Sequence, residues 1–175
     1  LYIELFLSLG KRTKFFFAGG PSTLFYVTSH GLGARTRDEK GLFFVCLYIQ
    51  PDTDEKKDIY IYKTPYPQPF LIEELVRFRT MSEQGREDYI PDALIQDKAY
   101  KIIQGVINPR FSFSDKDFEP FSGSQKMDTL SEEEMQELSI SDWTRDTLPK
   151  QIQIDYTLKD ASFKVHTAIS EHHEG

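Results

Sequence analysis

The chain has 175 residues, 39% of them apolar and 28% charged, a balance that supports a hydrophobic core and excludes a wholly disordered, collagen-like or coiled-coil chain. Its net charge of −7 is uneven: residues 1–79 carry 11 basic and 9 acidic side chains, residues 80–175 carry 10 and 19. That acidic excess argues against a general nucleic-acid binder, whose affinity comes from basic groups on the phosphate backbone.

The front of the chain reads as strands. Residues 1–9 place apolar side chains at the odd positions and Glu4 and Ser8 among the even ones, the period-two pattern of a half-buried strand. Gly10-Lys11-Arg12 turns the chain into a second strand over 13–18. Gly19-Gly20-Pro21-Ser22 turns it again into a third over 24–29. A loop through Gly31, Gly33 and Gly41 leads to residues 42–49, which are apolar on both faces. A strand of that kind suits the middle of a sheet covered on both sides, or an interface. A charged turn at 51–57 precedes a β-branched and aromatic strand over 59–62.

Pro65, Pro67 and Pro69 cannot pair in a ladder, so 65–69 is expected to be an extended connector. Leu71, Ile72, Leu75, Val76 and Phe78 then follow helical spacing. A second helix is expected after Asp92, its cap, with Ile95, Ala99, Ile102, Ile103 and Val106 as one stripe and Pro109 as its stop. Residues 110–130 read as irregular and Phe-rich. Ser131 opens a short helix to about residue 138 in a capping-box spacing. Residues 150–170 alternate as a hairpin about Lys159-Asp160-Ala161, and 171–175 form a tail. The expected fold is a single α+β domain over 1–175. Its mainly antiparallel sheet has about seven strands: a five-strand meander over 1–64 and the C-terminal hairpin. Two or three helices are inserted between them, within 70–138.

The ends and the cysteine count bear on location. Leu1 stands where a methionine would begin a complete protein, so a fragment or processed product is expected. Residues 1–9 are shorter than the roughly 20 needed to span a bilayer and lack the basic flank of a signal peptide. Cys46 is the single cysteine and Asn108 is followed by Pro109 and Arg110, so neither a disulfide nor a glycosylation sequon is available within the chain. The expectation is an intracellular protein of the cytoplasm or an organelle interior, without a transmembrane segment.

The candidate chemistries are each met by a plainer reading. Neither glycine cluster has the Lys-Ser/Thr of a phosphate loop or the third glycine of a dinucleotide fingerprint. Cys46 lies in an apolar run, where a thiol is a small buried hydrophobe rather than a nucleophile. His30 beside Ser29 lacks a base-orienting partner in sequence, and the chain has no Gly-x-Ser-x-Gly elbow. His172 and His173 fall in the expected C-terminal tail and His166 on the polar face of its strand, which does not supply the fixed geometry of a ligand cage, so no metal or cofactor is expected.

Two patterns point to partners. Lys11, Arg12 and Lys14 precede three phenylalanines, and Arg35 and Arg37 lie in the next glycine loop. Such a patch suits a phosphoinositide or another anionic ligand, and equally a solvated turn. Tyr62 and Tyr66 are threaded with prolines, and Phe111, Phe113, Phe118 and Phe121 sit among acidic residues. Rigid aromatic side chains suit contact with other protein subunits, and equally packing on the chain's own core. Together these features favour a non-catalytic protein-interaction module or a subunit of a larger assembly. Binding of an anionic lipid or phosphate through the basic loops is the first alternative. A hydrolase or transferase with a dispersed site, such as His30 with a carboxylate, is the second.

Overall fold

In a computed structural model, which describes residues 17–28, 42–53, 55–65, 67–115, 142–144 and 149–168, the alternating segments at the front of the chain become a ladder of antiparallel strands. These are β1 (Phe17–Gly19), β2 (Thr23–Thr28), β3 (Phe43–Pro51), β4 (Lys57–Pro65), β5 (Tyr100–Ser114), β6 (Gln151–Leu158) and β7 (Ala161–Ala168). They lie in chain order in one sheet, every neighbour antiparallel. The helices α1 (Pro69–Thr80), α2 (Glu83–Glu87) and α3 (Ala93–Gln96) fall between β4 and β5. The molecule is α+β with a predominantly antiparallel sheet. Of the strands expected before residue 64, four are β1 to β4; residues 1–9 lie outside the described residues, as does the helix expected from Ser131.

Pro69 opens α1 in its first turn, where its missing N–H costs no hydrogen bond. Leu71, Ile72, Leu75 and Phe78 are buried, and α1 covers one face of the sheet. There Phe25, Val27, Phe44, Cys46, Tyr48 and Tyr62 meet Leu71, Leu75 and Phe78 in a single cluster. Phe25 is its aromatic centre, 5.3 Å from Phe78 and 6.3 Å from Tyr89 between ring centroids. Successive side chains of a strand point to opposite faces, so Leu24, Ile49 and Ile59 build a second core on the other face. Phe17, Val106, Phe111, Phe113, Trp143 and Ile152 complete it. β3 is thus buried on both sides, as its composition requires.

The second core forms because the sheet curls. β1 and β5 are four positions apart in strand order, about 19 Å in a flat sheet at roughly 4.8 Å per step. Yet the rings of Phe17 and Phe113 are 5.6 Å apart, edge to face, and the Phe111 N–H donates to the Pro21 carbonyl at 2.9 Å. Residues 142–144 close the gap. Trp143 pairs with Gly19 through two backbone hydrogen bonds, of 2.9 and 2.8 Å, and its side chain is buried.

Three sequence expectations are corrected. The connector expected over 65–69 is shorter, because Pro65 ends β4 opposite Phe43 and Pro69 already lies in the first turn of α1. Asp92 caps a helix as expected, accepting from the Leu94 N–H at 2.9 Å, but that helix ends at Gln96, and Tyr100 to Ser114 form β5. Against Lys57 and Ile59, two residues apart, β5 presents Val106 and Ile103, three apart. Gly105, at φ +68°, takes up the extra residue in a left-handed conformation that suits glycine. Ile103 and Val106 therefore both serve the inner core at a spacing of three, which imitates a helical stripe. Pro109 sits inside the strand, at the break between the Ile107 and Arg110 pairings, where the ladder is already interrupted. The irregular segment expected from residue 110 is likewise ladder as far as Ser114, because Phe111 to Ser114 pair with β6.

Candidate interaction surface

Three charged clusters lie within the fold. Glu74 is buried on α1, where it accepts from Arg77 at 2.6 Å, from the Tyr89 hydroxyl, and from the Asp92 N–H at 2.9 Å. It ties the loop before α3 to α1. Arg86 on α2 grips Asp142 as a fork, Nε donating at 3.0 and 2.9 Å to the two oxygens and Nη2 bonding one of them. Arg79 donates to the Thr144 carbonyl at 3.0 Å. These two arginines fasten both sides of Trp143. Asp58, buried in β4, accepts from the Gly105 N–H at 2.8 Å and pairs with Lys101, which pins the β5 bulge.

The protonation of the neutral groups follows from burial. Burial first, and the Glu74 charge second, push the Cys46 thiol well up. Burial and its neighbours Cys46 and Tyr60 push Tyr48 up to about 12, and Tyr26 rises to about 12 through burial and Cys46. Cys46 therefore stays a thiol at neutral pH, the opposite of what a nucleophile needs. Among the described residues the buried Tyr48 hydroxyl meets no hydrogen-bond partner, and its ring stacks on Tyr60 at 5.3 Å. Asp58 behaves differently: burial works to raise it, but hydrogen bonds from Lys101 and Gly105 and the lysine charge together hold it below the ordinary 3.8.

The residues singled out from sequence separate into two groups. Tyr62 is in the cluster beneath α1, and Phe111 and Phe113 are in the inner core. For these three, the structure shows packing on the chain's own core, one of the two readings their pattern allowed. Lys11, Arg12, Lys14, Arg35, Arg37, Tyr66, Phe118 and Phe121 lie outside the described residues, as do His30, His172 and His173. Among the described residues, no three His, Cys, Asp or Glu side chains could hold a metal ion, and no helix is long and apolar enough to cross a membrane.

The sheet itself offers a surface that sequence reasoning did not identify. β6 and β7 pair without interruption from Gln151–Ala168 to Leu158–Ala161, joined by Lys159 and Asp160 at φ 49° and 65°. That is the geometry of a tight two-residue hairpin turn. β7 is the last strand in the order, and among the described residues no strand pairs with its outer side. The inner-face row of β6, Ile152, Ile154 and Tyr156, continues across β7 as Val165 opposite Ile154 and Phe163 opposite Tyr156. The Tyr156 and Phe163 rings stack at 5.2 Å. Phe163 is 41% exposed and Val165 49%. On the other face, Lys164 approaches Asp155 at 3.9 Å, both side chains well exposed. Alternation marks residues 150–170 as a hairpin. Only strand order shows that β7 is an edge.

Comparison with known protein families, with curated proteins and with solved structures gives no match.

Proposed function

We propose that this chain is a non-catalytic protein-interaction module, a subunit of a larger assembly, and that it engages its partner along β7. The supporting observation is the edge strand itself. Eight residues run in regular register, without proline or bulge, and carry exposed Phe163 and Val165 on one face. An edge presents a row of backbone donors and acceptors, and natural sheets blunt such rows with proline, bulges or inward-pointing charge. Here an apolar row runs out to the edge. A partner strand added to it would continue both the ladder and that row, the mode of recognition by strand addition. The charged clusters support the reading in a second way: Glu74, Arg86 and Asp58 are committed to holding elements of this chain together.

The test is affinity purification from the native source with two baits, the wild-type chain and Val165→Lys. Lysine at this place puts a charge on the apolar row and leaves both cores untouched. A protein retained in stoichiometric amount by the wild type and lost with Val165→Lys is the expected result. Identical recoveries from the two baits would remove the edge from consideration.

A further inference from the structure

The chemistry of the partner segment can be read from the two faces of β7, an inference that rests on the strand-addition reading above. We infer that the segment pairing with β7 is an extended strand of another protein in which apolar and acidic residues alternate. One face of the edge carries Phe163 and Val165, so the incoming strand must bring apolar side chains to that face, at every second position. The opposite face carries Ser162 and Lys164, so a residue of the incoming strand that pairs with Lys164 puts its side chain on that face. Lys164 has three donors, and among the described residues the carboxylate facing it is that of Asp155, 3.9 Å away with both side chains about two-fifths exposed. It keeps capacity for a second carboxylate. A lysine in the incoming strand would instead meet a like charge, which destabilises a ladder.

A second copy of this chain is the poorer fit. Antiparallel pairing of β7 with itself over 161–167 sets Lys164 directly against Lys164.

The experiment uses the full chain and two fluorescein-labelled heptapeptides, one alternating valine with glutamate and the other valine with lysine, followed by fluorescence anisotropy at low salt. The expected result is binding of the glutamate peptide about tenfold tighter than the lysine peptide, with the preference reversed by Lys164→Glu and binding abolished by Val165→Lys. Equal binding of both peptides, unchanged by Lys164→Glu but lost with Val165→Lys, would overturn the charge inference and leave strand addition standing. Binding that survives Val165→Lys is not at this edge and overturns the inference. A chain that sediments as a dimer, and as a monomer after Val165→Lys, would make a second copy the occupant and overturn it as well. Failure of both peptides with a monomeric chain would overturn the inference and the strand-addition reading together.

Discussion

Asp58 is buried in β4 with a lysine at one carboxylate oxygen and a backbone N–H at the other. These donors hold its folded-state pKa below the ordinary 3.8, so folding favours the carboxylate. The resulting stability is fully present above that value and is lost as the pH falls through it towards the depressed folded pKa. Asp58→Asn should therefore cost about 2 kcal/mol at neutral pH, the scale of hydrogen bonds to a charged group. The difference from wild type should shrink below pH 3.8. Urea melts of both proteins from neutral to acid pH check this, and a gap independent of pH would contradict it. The residue scale was partly legible beforehand. An apolar neighbourhood was enough to bury Cys46. Asp58 was invisible, because its partners lie on another strand, 43 and 47 residues away in sequence as Lys101 and Gly105.

Elements were legible where their period was clean. α1 and the β6–β7 hairpin repeat at 3.6 and 2 residues without interruption, and the structure has them. β5 was misread because Gly105 adds a residue and shifts the parity of the inward side chains. Pro109 then looked like a helix stop, although it marks a break in the ladder. The curl that β5 helps to produce brings its far half against β1. A Cβ placed on Gly19 would lie 2.2 Å from the ring of Phe113, itself buried, so neither group can move aside cheaply. Gly19→Ala should destabilise by about 2 kcal/mol, the scale of overpacking. Combining it with Phe113→Leu should cost less than the two changes separately, because the smaller side chain leaves room for the methyl. Additive losses in chemical denaturation would show that the two residues do not share this space.

For the whole molecule, the arrangement of the sheet decides which surfaces exist. Trp143 is the only tryptophan, and it is buried among residues of β1 through β6. Its emission should report on the entire fold: the urea transitions by tryptophan fluorescence and by far-UV circular dichroism should coincide. Arg86→Ala leaves Asp142 without its fork and should destabilise the fold by about 3 kcal/mol, the scale of a broken buried ion pair, so that both midpoints fall together. Fluorescence that shifts before the sheet melts would make 142–144 a separately unfolding strap. The sequence by itself determined the strand-rich α+β class, the double-sided burial of β3, the helix after the prolines and the final hairpin, because each is a local period read out by solvent. Only the tertiary structure decided that Phe111 and Phe113 turn inward, that Trp143 closes the curl and that β7 is an edge. Those outcomes depend on which strands meet across long stretches of chain, and a residue's place in the strand order leaves no mark on its neighbours in sequence.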